Sequence, residues 1–143
     1  MSKNIKRMPN KILVVDDEKS FVKANKTSIL TNRDNYIIKT AFNGKEALDI
    51  LEKEEVDLII LDVKMPVMDG IQFLVELHNR NIWLPIIILT SFSNIAEKEK
   101  EEIIRDFGVV EIIEKPVNFE KLEKRIEKEQ LKIENLLMKC DSK

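Results

Sequence analysis

The amino-acid sequence predicts an α/β fold in which a doubly wound, five-stranded parallel sheet is covered by helices on both faces. Strand-like and helix-like patterns alternate five times along the chain, which is typical of a parallel sheet with helical crossovers. The apolar runs are short and continuous, as expected of strands that are buried on both faces. Pro66 and Asp69-Gly70 stop the third run and open a loop after it.

Five segments are predicted to be strands. The second is rich in β-forming residues but more polar than the others, which predicts an edge strand. The fourth is entered through Pro85 and ends on Thr90-Ser91. The predicted strands are Lys11–Val15, Tyr36–Ala41, Leu58–Leu61, Leu84–Leu89 and Val109–Ile113.

Five helices are predicted to follow these strands. Asn43 with Glu46, and Asp69 with Gln72, have the spacing of capping boxes that open a helix. Gly108 fits the position just past the end of the fourth helix. The predicted helices run over Ser20–Thr31, from Asn43 to about Lys53, from Asp69 to near Asn79, from Asn94 to Phe107, and from Asn118 to about Lys139.

Length and composition limit the classes of protein. At 143 residues the chain has the length of one domain that can bury a sizeable core. A net charge of −2 provides no overall field that would draw it to nucleic acid or acidic membranes. Cys140 is the single cysteine, which excludes an internal disulfide, and no signal peptide or membrane span is predicted, so we expect a cytoplasmic protein. The expected organisation is a disordered basic leader over residues 1–9, the main domain over 10–128 and a helical extension over 129–143.

Polar residues follow four of the five predicted strands. Asp16 and Asp17 follow the first, Asp62 the third, Thr90 the fourth and Lys115 the fifth. Each acid alone could merely cap a turn, but right-handed crossovers bring the carboxyl ends of all the strands to one rim. Three carboxylates there stay ionised only beside a cation, and an all-oxygen site with few ligands suits Mg²⁺. A carboxylate beside that ion could attack phosphorus and form an acyl phosphate, whose oxygens would be bound by the hydroxyl and the ammonium.

These segments resemble the receiver domain of two-component response regulators, over roughly residues 10–126. The resemblance implies a flavodoxin-like sheet with the strand order 2-1-3-4-5. Four motifs carry it, in the order and spacing of that family. They are Val14-Val15-Asp16-Asp17-Glu18, Leu61-Asp62-Val63-Lys64-Met65-Pro66-Val67-Met68-Asp69-Gly70, Leu89-Thr90-Ser91 and Glu114-Lys115-Pro116.

The resemblance also implies a role for each motif. Asp62 would accept a phosphoryl group from the phosphohistidine of a histidine kinase or phosphotransfer protein. Thr90 would be the switch hydroxyl, and Lys115 would bind the phosphoryl oxygens. The implied ligands of Mg²⁺ are Asp16, acting partly through water, Asp17, Asp62 and the backbone carbonyl of Lys64.

Ile112 stands where the family usually has an aromatic residue, and Lys64 and Phe92 stand at positions that influence the lifetime of the acyl phosphate in the family. Receivers usually have Tyr or Phe three residues before the lysine, whereas this chain has Ile112. A ring moving behind Thr90 therefore cannot report phosphorylation, and we expect switching through the loop after Thr90 and the helix that starts at Asn94. The expected output face consists of that helix, the Val109 strand and the Asn118 helix, and it would act on a downstream protein or a fused output domain.

Two other functions stay open. A phosphatase with an aspartyl nucleophile would also place an acid, a Thr and a Lys at strand ends. Its haloacid-dehalogenase-like sites resemble Asp-x-Asp, however, and this chain has Lys64 two residues after Asp62. A receiver-like scaffold that is never phosphorylated is supported only by Ile112. We therefore expect a signalling domain and not an enzyme, with at most Mg²⁺-dependent self-phosphorylation and autodephosphorylation.

The last predicted helix is longer than a five-stranded sheet needs. It spans 22 residues, or about 33 Å. Apolar residues occupy most of the a and d positions of one heptad frame, but Glu129 interrupts it. The helix could form a homodimer, overhang the domain in solvent, or begin a linker to an output domain. The apolar a and d positions are Phe119, Leu122, Ile126, Ile133 and Leu136, with Cys140 at the next a.

Overall fold

The computed structural model describes residues 10–16, 36–63, 67–90, 97–114 and 117–141. Within these residues five parallel strands form one sheet. They are β1 (Asn10–Val15), β2 (Tyr36–Ala41), β3 (Leu58–Val63), β4 (Ile86–Thr90) and β5 (Val109–Glu114). Their order is β2-β1-β3-β4-β5, which confirms the flavodoxin-like α/β fold and the edge position of the more polar strand.

The part of the chain that the structure describes contains four helices. They are α1 (Gly44–Lys53), α2 (Val67–Asn79), α3 (Glu97–Phe107) and α4 (Phe119–Asp141). None of these helices is long and apolar enough to cross a membrane. The predicted leader, the predicted Ser20–Thr31 helix and the predicted Asn94 cap lie outside the described residues.

The strands are apolar throughout because their side chains alternate between two hydrophobic layers. On β1, Leu13 and Val15 belong to one layer, and Ile12 and Val14 belong to the other. Helices α1, α2 and α3 pack on the first layer, which we call the three-helix face. Helix α4 packs on the second layer, which we call the α4 face. Burial on both sides explains why the strands read as continuous apolar runs and not as alternating ones.

Several element boundaries differ from the sequence prediction, most by one or two residues. Strand β3 continues to Val63 because β4 offers it two further pairing partners, so Asp62 lies within the strand and not just past it. Helix α2 begins at Val67, so Asp69 lies in its first turn and is not its cap. A carboxylate is favoured at either place, because both lie near the positive end of the helix dipole. Strand β4 begins after Pro85, which has no N–H for the ladder.

Two helix ends confirm the capping predictions. The side chain of Asn43 accepts a hydrogen bond from the backbone N–H of Glu46 at 2.8 Å. The Glu46 carboxylate accepts one in return from the N–H of Phe42, also at 2.8 Å. Gly108, directly after α3, has a φ of +71°, where glycine is favoured over residues with a Cβ. These caps fix the points at which the chain enters α1 and leaves α3 for β5.

Candidate functional site

Two of the predicted carboxylates lie side by side at the carboxyl ends of neighbouring strands. Val15 of β1 is the register partner of Leu61 of β3. Asp16 and Asp62 are the next residues of the two chain segments and therefore lie at the same height. Asp16 is 2% exposed, and its backbone N–H donates to the carbonyl of Ala41 on β2 at 3.0 Å. Asp62 is half-buried. One oxygen of each carboxylate, Oδ2 of Asp16 and Oδ1 of Asp62, is buried within the protein.

Both carboxylates belong to the α4 face of the sheet. Side chains alternate along a strand, and Val14 and Ile60, two residues earlier, lie in the layer under α4. The common face and the common height bring Asp16 and Asp62 together. Two ionised carboxylates on the same face of adjacent strands repel each other, and a bound cation relieves that repulsion.

Thr90 is the third predicted site residue that the structure brings to this rim. It is fully buried and pairs with Val63 of β3 and Glu114 of β5. Because Leu89 is the register partner of Asp62, Thr90 lies one step nearer the rim. By alternation Thr90 belongs to the three-helix face and Asp62 to the α4 face. The Thr90 hydroxyl and the Asp62 carboxylate therefore belong to opposite faces of the sheet.

Three predicted site residues, Asp17, Lys64 and Lys115, lie outside the described residues. Within the described ranges, no group of three acidic, histidine or cysteine side chains could hold a metal ion. Asp16 and Asp62 are thus the described part of the predicted metal site. Their hard oxygen donors fit Mg²⁺, which takes one or two carboxylates and keeps several waters.

Ile112 lies behind Thr90 on the same face of the sheet. Its register partner is Ile88, two residues before Thr90. The half-buried side chain packs against the three-helix layer, as do Ile103 and Phe107 of α3. An aliphatic group held there has no ring to rotate when Thr90 moves. The alternative route that we expect, through the loop after Thr90, falls outside the described residues.

A cluster of charged residues between β5 and α4 was not predicted from the sequence. Glu129, which interrupts the apolar heptads, is only 5% exposed. Its Oε2 forms ion pairs with Arg125 at 3.1 Å and with Lys132 at 3.2 Å. Arg125 also lies 3.4 Å from Oε1 of Glu111 on β5. The spacing of opposite charges three and four residues apart was a usable signal for these pairs, but it did not indicate their burial.

The resolved pKa shifts belong to residues at the opposite end of the sheet. A hydrogen bond from Lys11 at 3.2 Å is the main cause that lowers the pKa of Glu54, while desolvation opposes it and Lys39 at 3.3 Å adds to it. A hydrogen bond to Glu76 raises the pKa of Arg80 at the end of α2. The contacts of Glu54 join the end of α1 to β1 and β2, and those of Arg80 join the end of α2 to α1, away from the rim.

The sequence matches known proteins over most of its length. The model of the family described as the response regulator receiver domain matches residues 12–127. The probable C4-dicarboxylate response regulator DctR of Bacillus subtilis is 33% identical over 120 residues, which cover 82% of this chain and 51% of that protein. The chain spans about half the length of the curated relatives it matches.

Solved receiver domains share the fold. The receiver domain of the Francisella response regulator 1452 has a TM-score of 0.75 at 31% identity and covers 87% of this chain and 98% of its own. The response regulator TrrA of Thermotoga maritima, in complex with Mg²⁺-BeF, has a TM-score of 0.69 at 31% identity, covering 84% of this chain and 98% of its own. The likeness thus extends over most of this chain and nearly all of each solved structure.

Proposed function

The chain belongs to the response regulator receiver domain family, a family of phosphoacceptor signalling domains, and from this premise we propose that Asp62 is its phosphoacceptor. The Asp62 carboxylate attacks the phosphorus of a phosphohistidine on a histidine kinase or phosphotransfer protein. A P–O bond forms to Asp62 as the P–N bond to the donor breaks. The products are an aspartyl phosphate on β3 and the unmodified histidine of the donor.

The observation that supports this proposal most directly is the position of Asp62 beside the buried Asp16. Asp62 lies on the central strand of the sheet, flanked by β1 and β4, and is half-buried. Partial exposure leaves the carboxylate accessible to a donor, while the paired strands hold its backbone. An aspartate that only caps a turn has no need of a second, buried carboxylate at the same height.

We also propose a ligand set for Mg²⁺. Asp16 and Asp62 contribute the described oxygens, and their neighbours in the sequence, Asp17 and the backbone carbonyl of Lys64, complete the set. When bound, the ion offsets the negative charge of the phosphoryl oxygens during transfer. Asp16 and Asp62 alone would repel an incoming phosphoryl group, so phosphorylation should depend on the metal.

Thr90 and Lys115 are proposed to bind the phosphoryl oxygens after transfer, by a hydrogen bond and an ion pair respectively. Thr90 belongs to the opposite face of the sheet from Asp62, so the end of β4 must turn for the hydroxyl to reach those oxygens. Phosphorylation adds about −1.5 to −2 charges at this place. The conformation in which Thr90 and Lys115 contact the phosphoryl oxygens therefore becomes the more populated one.

The proposed output surface consists of α3, β5 and α4. Strand β5 pairs with β4 along its length up to Thr90, and α3 leads into β5 through Gly108. A displacement at Thr90 therefore passes to this surface without crossing the rest of the sheet. Ile104 on α3 is 43% exposed among charged neighbours and offers an apolar contact to a downstream protein.

The partners follow from the same proposal. A sensor histidine kinase or phosphotransfer protein would act upstream, and a protein target or fused output domain would act downstream, in the cytoplasm. The net charge of −2 favours protein partners over nucleic acid or a membrane surface. The chain would act on itself alone, at most accelerating its own Mg²⁺-dependent phosphorylation and dephosphorylation.

Intact mass after incubation with acetyl phosphate and Mg²⁺ tests the role of Asp62. We expect one phosphoryl adduct on the wild type, none without Mg²⁺ and none on Asp62→Asn. Asp49→Asn, which removes an exposed carboxylate from α1, is the matched control and should react like the wild type. An adduct that persists on Asp62→Asn would refute the assignment. A wild type that stays unmodified even with a competent histidine kinase would favour the unphosphorylated scaffold.

A homodimer through α4 is proposed in a restricted form. We call the a and d positions of α4 the heptad stripe. Its first part is buried within the chain, since Leu122 is 0%, Ile126 1% and Glu129 5% exposed. Leu136, one heptad after Glu129, is 63% exposed. Among the heptad side chains that the structure describes, Leu136 is therefore the apolar one left available for a partner chain. The proposal is limited to this part of α4.

A further inference from the structure

Strand β5 contains a one-residue bulge at Val110. Ile86 of β4 pairs with Val109, but the next residue of β4, Ile87, pairs with Glu111. Val110 is therefore an extra residue on β5, and two residues of β5 oppose one residue of β4. Such a bulge interrupts the ladder locally and changes the direction of the strand.

The bulge sets the face that each later residue of β5 occupies. Val110 packs against the layer under α4, and Glu111 faces α4 as well, because its register partner belongs to that layer. If Val110 were paired regularly, every side chain from Glu111 onward would change face. Glu114 would also move about 3.3 Å past its present partner, Thr90. The bulge thus determines the height at which β5 reaches the rim, and Lys115 is the next residue in the sequence.

Arg125 of α4 holds this bulge. Its Nη2 donates a hydrogen bond to the backbone carbonyl of Val110, the extra residue, at 3.1 Å. The same guanidinium lies 3.4 Å from Oε1 of Glu111 and 3.1 Å from Oε2 of Glu129. The side chains of Arg125 and Glu129 are only 16% and 6% exposed, so solvent screens these contacts less than those of a surface pair. The planar guanidinium makes these contacts from two different nitrogens, Nη2 and Nε, which the single nitrogen of an ammonium cannot reproduce.

We propose that Arg125 is a positioning residue for phosphoryl uptake at Asp62: by holding the Val110 bulge it sets the register of β5, and thereby the height at which Lys115 meets the phosphoryl oxygens. This inference rests on the proposed roles of Asp62 and Lys115. Val110 and Glu114, the last residue of β5, are four residues apart, or about 13 Å along the strand, so Arg125 acts through β5 and not on the phosphoryl group.

The inference predicts that the loss of Arg125 weakens phosphoryl uptake at the rim but leaves the binding of Mg²⁺ unchanged. Arg125→Met removes the guanidinium and keeps an apolar stem, and Lys124→Met removes an exposed charge from the adjacent position as the control. In Arg125→Met, the rate of phosphorylation by acetyl phosphate and the affinity for beryllofluoride should fall about five- to tenfold. The affinity for Mg²⁺ alone should stay near the wild-type value, because Asp16 and Asp62 lie on β1 and β3. Lys124→Met should resemble the wild type in all three measurements.

Amide hydrogen exchange provides the structural measurement. Residues 110–114 should exchange faster in Arg125→Met than in the wild type, and Lys124→Met should show no such change. If Arg125→Met does not fold, Arg125→Lys decides the question, since it keeps a cation and a donor but not the three simultaneous contacts. We expect about a two- to threefold loss of phosphoryl uptake in that variant.

Two results would overturn the role of Arg125. One is phosphoryl uptake at the wild-type rate in Arg125→Met or, if that variant does not fold, in Arg125→Lys. The other is an equal loss of Mg²⁺ affinity and phosphoryl uptake, which would indicate general damage to the rim. A wild type that takes up no phosphoryl group would instead refute the proposed function of Asp62, so the two failures are distinguishable.

Discussion

Asp16 and Asp62 lie at the same height on adjacent strands, directly after the register partners Val15 and Leu61. The pairing of two carboxylates is therefore a product of the β1–β3 register. A slip of one residue would send one of the two acids to the other face of the sheet, together with every apolar side chain of its strand. The burial of those apolar side chains thus also holds the two acids in place.

The first prediction concerns the repulsion between these two carboxylates. Asp16→Asn removes one of the two charges, so without Mg²⁺ the free energy of unfolding should rise by about 0.5–1 kcal/mol, the scale of directly opposed like charges. The affinity for Mg²⁺ should fall about tenfold, the scale for a group that supports a metal site. Chemical denaturation with and without Mg²⁺ measures both effects.

Asp49→Asn controls for the loss of one negative charge on the chain, because it lies on the exposed side of α1. It should leave the stability without Mg²⁺ and the Mg²⁺ affinity unchanged. An Asp16→Asn variant that binds Mg²⁺ as tightly as the wild type would remove Asp16 from the metal site.

The second prediction separates the hydroxyl of Thr90 from its packing. Thr90→Val keeps the size of this fully buried side chain and removes the hydroxyl, whereas Thr90→Ser keeps the hydroxyl. With Mg²⁺ and beryllofluoride, amide resonances of β5 should shift in the wild type and in Thr90→Ser. They should shift little in Thr90→Val, because the end of β4 is no longer drawn toward Asp62. Equal shifts in all three proteins would show that another group carries the signal.

Those parts of the fold that depend on local pattern were predictable from the sequence. The apolar runs over residues 58–61 and 86–89 indicate strands because both faces of each strand are buried. The more polar run over Tyr36–Ala41 indicates an edge strand, because an edge strand is less completely buried. The positions of Asp16, Asp62 and Thr90 at the carboxyl ends of their strands were predictable because these residues end or follow such runs.

Features that depend on neighbours in space could not be predicted in this way. The bulge at Val110 arises from the pairing of β5 with β4. Glu129 looks like a flaw in an apolar heptad, and its ion pairs with Arg125 and Lys132 explain its burial. The position of Thr90 on the other face from Asp62 follows from the register between β3 and β4, which no single segment specifies.

The third prediction concerns the end of α2, which turns without a glycine. Asn81 has a φ of +59°, and its N–H donates to the carbonyl of His78 at 3.0 Å. The N–H of Ile82 donates to the carbonyl of Leu77 at 2.9 Å, which completes a Schellman motif. Asn81→Ala should lower the free energy of unfolding by about 1 kcal/mol, because alanine resists a left-handed backbone more than asparagine does.

Asn81→Gly should be neutral or slightly stabilising, since glycine adopts this conformation freely. Asn79→Ala, at an exposed helical position two residues earlier, is the matched control and should change stability little. Thermal and urea unfolding of the three variants test the assignment. Equal losses in Asn79→Ala and Asn81→Ala would argue against a special role for the backbone of Asn81.

The fourth prediction is a pH dependence at the amino end of the sheet. The hydrogen bond from Lys11 lowers the pKa of Glu54 below its usual value of 4.5 in the folded state. The contact therefore stabilises the fold above that value and loses its effect as the pH falls through the lower, folded pKa. Glu54→Gln should be less stable than the wild type near neutral pH, and the two should converge in acid.

Unfolding at several pH values measures this convergence. Glu55→Gln, at the exposed neighbouring position, controls for the removal of one negative charge. The difference between Glu54→Gln and the wild type should also shrink in high salt, because both lysine contacts are partly exposed to solvent. A difference that stays constant from neutral to acidic pH would assign the effect to packing and not to the charge of Glu54.

The fifth prediction tests the heptad stripe of α4 with two leucines of similar exposure. Leu136 is 63% and Leu131 57% exposed. At about 100° per residue, Leu136 lies about 40° from the buried Leu122, whereas Leu131 lies on the opposite side of the helix. If the protein dimerises through the heptad stripe, Leu136→Lys should raise the dissociation constant at least about tenfold, since burying a leucine contributes about 1.5–3 kcal/mol.

Leu131→Lys introduces the same charge outside the stripe and should leave the dissociation constant unchanged. Sedimentation of the phosphorylated and unphosphorylated forms measures both variants under identical conditions. Equal weakening by the two substitutions would assign the effect to added charge and would remove the stripe from the interface. A wild type that stays monomeric in both forms would leave the end of α4 as an overhang.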